Sequence, residues 1–267
     1  MSTSAASFQL YRGDCFDLLR AIPAQSVDFI CTDMPYGITR AKWDCKINLS
    51  ALWPELKRVI KPKGAIALFG SGKFAYKLAA SNFDDFRYRY TWYKQSFTPT
   101  GFLNANRRPL VCSEDILIFC TGQPKYNPQR RAPQGGGGKR YTRRTPFCSQ
   151  LYTANIPRVA TESKDGLRFP IDVLTFKAIP TTKQRRHNTQ KPQDLLEFLI
   201  KTYTDAGETV LDPFMGSGSC GVACLSTRRR FIGIEKEPHF FISAKEWLAA
   251  EQTRIDNEEG SDDVRED

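Results

Sequence analysis

The sequence predicts an α/β fold: a doubly wound, mostly parallel sheet built from both ends of the chain around an inserted, loop-rich region. Three observations carry that prediction. Strand-like apolar runs alternate with helical stretches up to residue 120, regular patterning lapses between 121 and 186, and a strand, a glycine loop, a helix, a strand and a helix then follow. Neither flanking block has enough strands for a sheet covered on both faces, so one sheet made from both is the economical solution.

In order, FQLY reads as the first strand and CFDLLRAI as a short helix. VDFICT is the next strand, LSALWPELKRVI a helix, GAIALFG a strand and GKFAYKLAASN a helix, with RYRYTWYK and DILIFC as further strands. Residues 121–186 turn proline-, glycine- and arginine-rich with weak periodicity, the mark of an inserted module. Beyond it, PQDLLEFLIKTYTDAG has proline near its start and glycine at its stop, the asymmetry of a helix. The predicted plan is one main domain over 1–120 and 187–250, an insertion over 121–186, and an acidic, disordered tail over 251–267.

A chain of 267 residues with 40% apolar and 12% aromatic residues can bury a full core, which excludes a disordered protein. The start, MSTSAASFQLYRGD, lacks a basic end followed by an apolar run, and no stretch approaches the roughly 18 apolar residues of a membrane span, so a cytoplasmic location without membrane association is expected. The eight cysteines are scattered, and several sit in apolar runs where a reduced thiol packs as a small hydrophobe. With no CxxC pair and only two histidines, no metal site is expected.

The formal net charge of +10 points to a polyanionic partner. Residues 121–186 hold fourteen Lys and Arg against three acids, and in QGGGGKRYTRR flexible glycines adjoin dense cations, a composition suited to ordering on phosphates. Arg130, Arg131, Lys139, Arg140, Arg143 and Arg144 are the expected phosphate contacts. Asn104, Arg107 and Arg108, in GFLNANRRP after an aromatic strand, are candidates for the border of a pocket that holds a nucleic-acid base.

Val210-Leu211-Asp212 looks like a strand end, and Gly216-Ser217-Gly218-Ser219-Cys220-Gly221 matches the GxGxxG spacing at a helix start, where glycines let a cofactor approach the backbone. Glu235 follows nineteen positions after Gly216, placed to accept bonds from ribose hydroxyls. NAD, FAD and S-adenosylmethionine all fit such a loop. Asp212 favours the last, because a carboxylate there attracts the ammonium of a methionine moiety and repels a pyrophosphate.

Asp33-Met34-Pro35-Tyr36 follows the strand VDFICT and so projects from the carboxyl edge of the sheet, where open α/β folds bind ligands. These groups suit methylation of an exocyclic amine on a flat base. The amine's lone pair is delocalised into the ring; a carboxylate from Asp33 and the Met34 carbonyl, accepting its two N–H bonds, localise it and aim it. Pro35 fixes that carbonyl, and Tyr36 offers a face for stacking. A base inside a duplex must be flipped out to reach such a pocket.

The order LYRGDCFDLLRAIP, DMPYG, TQKP, DPFMGSGS and FIGIEKE resembles that of the β-class DNA amino-methyltransferases of the DPPY type, bacterial or phage. The resemblance covers nearly the whole chain. It implies a circularly permuted, Rossmann-like methyltransferase sheet, S-adenosylmethionine as cofactor and double-stranded DNA as partner. It also implies roles: Asp14 and its neighbour Cys15 at the adenine ring of the cofactor, and Thr189 and Lys191 at its methionine end. Asp212, Pro213, Phe214, Gly216, Ser217 and Gly218 form the cradle, Glu235 holds the ribose, and Asp33 to Tyr36 perform catalysis. The family usually carries proline where Met34 stands, a change that keeps the carbonyl.

Asp33 favours adenine over cytosine as the target; cytosine 4-amino methylation and a non-catalytic DNA-binding protein on the same scaffold are the alternatives. A 5-methylcytosine enzyme needs a cysteine nucleophile after proline, and the chain has no Pro-Cys pair. A homodimer, a partner restriction endonuclease and the recognition sequence are left open.

Overall fold

The computed structural model describes residues 7–37, 45–95, 99–132, 166–179 and 190–263, the side chains of 259–263 excepted. Two compact units divide the chain: Met1–Asn127 with Asp172–Asp267, and Pro128–Ile171.

The larger unit opens with β1 (Phe8–Arg12), α1 (Cys15–Leu19), β2 (Val27–Thr32), α2 (Leu49–Val59), β3 (Ile60–Gly70) and α3 (Gly72–Ser81). Strands β4 (Phe86–Gln95), β5 (Ser113–Phe119) and β6 (Val173–Lys177) come next. They are followed by α4 (Gln193–Tyr203), β7 (Thr209–Asp212), α5 (Ser219–Ser226), β8 (Arg230–Glu235) and α6 (Pro238–Asp263). Among the described residues the eight strands form one sheet in the order β1-β8-β7-β2-β3-β5-β4-β6. Strands β1, β8, β7, β2 and β3 pair in parallel, and β5 alone runs against its neighbours.

Period-two burial explains why helices cover both faces. On β3, Ala65, Ala67 and Phe69 face a core shared with α4, α5 and α6, whereas Ile66 and Leu68 face a core shared with α1, α2 and α3. Local signals fix the helix starts: the Asp14 carboxylate accepts from the Phe16 amide at 3.0 Å and caps α1, and Asn48 does the same for Ala51 at 3.3 Å. Gly218, at φ 85°, caps α5 in a conformation that favours glycine.

Three boundaries differ from expectation. Val173–Lys177 falls inside the expected insertion, yet it is an edge strand pairing with β4 from Thr91↔Val173 to Gln95↔Lys177. The smaller unit is correspondingly shorter, 128–171. Helix α4 ends at Tyr203 rather than at Gly207, because Thr204 is extended and Gly207, at φ 79°, serves the turn before β7. The acidic segment from residue 251 continues α6 as far as Asp263 instead of being disordered. Ile255 is buried there, and Arg254 pairs with Glu251 at 2.7 Å and Glu258 at 2.5 Å, the one-turn spacing that supports a helix.

In the smaller unit, Arg131 and Arg168 exchange two backbone hydrogen bonds, and the Arg130 guanidinium donates to the Leu167 carbonyl at 3.2 Å while lying 5.2 Å over Phe169. No helix among the described residues is long and apolar enough to cross a membrane.

Candidate active site

Parallel pairing of β1, β8, β7 and β2 sets their carboxyl ends side by side, and each ends at or just before an acid: Asp14, Glu235, Asp212 and Asp33. The order in which strands are added reverses between the parallel neighbours β7 and β2, because β7 leads outward to β8 and β2 leads the other way to β3. A ligand crevice is expected at such a point. A cavity of about 390 Å³ opens there.

The sequence-predicted residues largely converge on it. Asp14, Cys15, Asp33 and Pro35 line it from the amino-terminal block, and Lys191, Asp212, Pro213, Phe214, Gly216, Ser217 and Glu235 from the carboxyl-terminal block. Met34, Tyr36 and Gly218 do not line it: the Met34 side chain is buried in the α1–α3 core, the Tyr36 ring stacks on Phe74, and Gly218 packs against α6, where a Cβ would meet Leu248 Cδ1 at 2.7 Å. Thr189 lies outside the described residues, as do Lys139, Arg140, Arg143 and Arg144. Arg107 and Arg108 are exposed on the larger unit.

Asp212 closes the cavity floor at 5% exposure. Its Oδ1 accepts from Thr32 Oγ1 at 2.6 Å and from the Phe214 amide at 3.0 Å. Burial nevertheless pushes its pKa up to about 7, with the charges of Asp33 and Glu235 adding to the rise. Glu235 is held by the Gly216 amide at 2.9 Å and the Glu237 amide at 2.7 Å, and burial raises its pKa as well. The Cys15 thiol, pushed up to about 12 by burial, is a neutral wall rather than a nucleophile.

The DMPY tip is more tightly held than the sequence suggested. Asp33 Oδ2 is 2.5 Å from Lys191 Nζ, and Asp33 Oδ1 accepts from the Tyr36 hydroxyl at 2.8 Å. One face of Tyr36 is stacked on Phe74, with ring centroids 4.5 Å apart. Lys191 is 4.8 Å over the Phe69 ring and 3.3 Å from Glu114 Oε2, and Glu114 Oε1 is 2.5 Å from Lys94. Burial opposes charge on Lys191, but Asp33 and Glu114 outweigh it and raise its pKa to about 12. Asp33, which shares one lysine with Glu114, is left above the usual carboxylate range by burial. Glu114 is drawn below that range against its own burial, because Lys191 and Lys94 both face it.

Thr32, Glu114 and Lys94 were therefore missed. Thr32 had a signal, as the polar residue that ends the apolar run Phe29–Cys31. Glu114 and Lys94 had none, because only the antiparallel sense of β5 brings them to the edge that carries Asp33.

Chemically, the carboxylates of Asp14, Asp212 and Glu235, buried hydrogen-bond donors and the rings of Phe214 and Phe240 suit a ligand that combines positive charge, hydroxyl groups and a flat apolar part. The Asp33 tip suits an N–H donor beside it.

Known proteins bear on this geometry. The chain is 28% identical over 256 residues, covering 90% of itself and 73% of the relative, to the Type II methyltransferase M.HpaI of Haemophilus parainfluenzae. Its fold is similar to that of M1.HpyAVI in complex with SAM (TM-score 0.59, 24% identity, covering 90% of this chain and 98% of that one). It is also similar in fold to the cytosine-N4-specific PvuII DNA methyltransferase (TM-score 0.65, 17% identity, covering 95% and 94%). A family model described as DNA methylase, spanning N6 and N4 methyltransferases, matches residues 27–246. With the acids, the glycine loop and the DMPY tip gathered at one sheet edge, the chain belongs to this DNA methylase family of N6/N4 amino-methyltransferases.

Proposed function

We propose that the protein is a sequence-specific DNA methyltransferase that methylates the exocyclic 6-amino group of adenine after base flipping. The observation that carries this reading is the Asp33 carboxylate, fixed through both oxygens beside the cavity by Lys191 and Tyr36. The cofactor is S-adenosylmethionine, which supplies an electrophilic methyl group on its sulfonium. Asp212 meets its methionine ammonium, Glu235 its ribose and Asp14 its adenine ring, and the glycine loop admits it against the backbone.

A carboxylate has about four lone-pair sites, so Asp33 can accept an amine N–H while bound to Lys191 and Tyr36. The Met34 carbonyl, held by Pro35, accepts the second N–H. Together they turn the amine's lone pair out of the ring plane and toward the cavity. As the amine is methylated it sheds one proton, and the raised pKa of Asp33 suits it to take that proton. Lys191, expected at the methionine end of the cofactor, acts first by orienting Asp33.

Methyl transfer from labelled S-adenosylmethionine to unmethylated DNA, followed by mass spectrometry of the nucleosides, tests this. N6-methyladenine is expected, and Asp33→Ala lowers turnover by about 10²-fold or more while cofactor binding persists. N4-methylcytosine in place of N6-methyladenine overturns the adenine assignment. Full activity of Asp33→Ala overturns the role of the tip.

A further inference from the structure

The loop between β4 and β5 has an exposed apolar tip on a rigid frame. Leu103 is fully exposed and Phe102 is 58% exposed. The tip is nonetheless ordered by its own backbone. Thr100 and Val111 exchange two hydrogen bonds of 2.9 Å, Gly101 at φ 97° starts a single helical turn over Phe102–Asn104, and the amides of Arg107 and Arg108 both donate to the Asn104 carbonyl. Residues 99–111 carry two arginines, both exposed, and no acid.

Topology places this tip. Strand β5 is antiparallel to both β3 and β4, so β4 runs in the direction of β3 and β2 and its following loop leaves from the edge that carries Asp33. Ion pairs connect the stem to the catalytic tip: Lys94 on β4 to Glu114 on β5, Glu114 to Lys191, and Lys191 to Asp33. An apolar tip flanked by cations and tied to the catalytic carboxylate matches a DNA base step between phosphates.

We infer that the 99–111 loop is a wedge for duplex DNA: Leu103, backed by Phe102, fills the gap that a flipped base leaves in the stack, and Arg107 and Arg108 hold the adjoining phosphates. A base leaving a duplex opens about 3.4 Å of stack, room for an aliphatic side chain. The inference rests on the proposed flipping of the target base. It adds the element that makes flipping favourable.

The test compares wild type with Leu103→Ala and Phe102→Ala in the full chain. One duplex carries a normally paired target within the methylated site, and a second places an abasic position opposite that target, which removes the pairing that resists flipping. The variants are expected to methylate the paired duplex at least tenfold more slowly and the abasic-opposed duplex within about twofold of wild type. The fluorescence rise of 2-aminopurine beside the target falls in parallel, while titrated cofactor binding is unchanged. Equal losses on both duplexes, or none on the paired one, overturn the wedge; so does an unchanged fluorescence rise, which would point to a protein partner for the tip. Methylation of cytosine with the same contrast between duplexes corrects the proposed target and leaves the wedge standing. No transfer by the wild type to either duplex overturns both.

Discussion

Cofactor binding is predicted to be coupled to the release of a proton from Asp212. In the cofactor-free protein this carboxyl is buried, and burial with the nearby charges of Asp33 and Glu235 holds its pKa at about 7. A positively charged ligand beside it favours the ionised form, so bound protein returns the carboxyl toward or below its ordinary value of 3.8. Affinity is then full above pH 7 and falls as pH drops: about elevenfold weaker at pH 6 than on the alkaline plateau, and about tenfold more per unit below that. The same shift acts on the empty fold with the opposite sense. The folded carboxyl holds its proton more tightly than the unfolded one, so its contribution to stability is present below about pH 4 and is lost as pH rises to 7. Calorimetric titration of S-adenosylmethionine from pH 5.5 to 8.5, in buffers of different ionisation heat, measures both the slope and the proton released. Glu235, also raised by burial, adds a slope of its own, and the difference between wild type and Asp212→Asn isolates the Asp212 share. Affinity that is flat over this range, or a slope identical in Asp212→Asn, refutes the assignment.

Thr32→Val removes the 2.6 Å hydrogen bond to Asp212, costing about 1–3 kcal/mol, and raises its pKa further, so the midpoint of the affinity profile moves to higher pH. An unmoved midpoint counts against that bond. Glu114→Gln removes a charge that raises the Asp33 pKa, and leaves Lys191 to Asp33 alone. The acid limb of the kcat profile therefore shifts to lower pH, with kcat at neutral pH down about tenfold from looser positioning, and a shift the other way contradicts the coupling. Gly221→Ala puts a Cβ 2.6 Å from both Leu248 Cδ2 and Phe231 Cε1, an overpacking cost of about 1–3 kcal/mol, which scanning calorimetry reads as a Tm lowered by about 2–4 °C per kcal/mol.

The alternation of strands and helices was legible because each paired element buries a full face, so β2, β3 and β5 read as apolar runs. Strand β6 was not. Of its five residues only Leu174 is fully buried, since an edge strand has little face to hide, and its partner β4 is remote in sequence. Composition misled at the acidic end, where helix formation depends on charge spacing and on one buried residue, Ile255, rather than on net charge. At the site, groups that lie at strand tips in a parallel sheet were found from sequence, because βα order fixes where those tips go. Glu114 and Lys94 escaped because they sit on strands whose direction the sequence did not disclose.

That same distinction explains why a permuted order of motifs can still make one site. Asp33 and Asp212 are far apart in the chain, yet β2 and β7 are direct neighbours, paired at Phe29↔Val210 and Ile30↔Leu211. Thr32, immediately before Asp33, donates to Asp212, so the carboxylate proposed for the cofactor and the carboxylate proposed for the target amine are joined by a single strand tip. Charge on Asp33 raises the pKa of Asp212. A cation placed at Asp212 offsets the charge that this carboxylate takes on as it loses its proton, so the cofactor site fills without adding net negative charge beside the target acceptor. The Asp212 titration then enters kcat/KM for the cofactor but not kcat at saturating cofactor, so the acid limb of methyl transfer lies at lower pH at saturation, and coincident limbs would remove the proton linkage at Asp212.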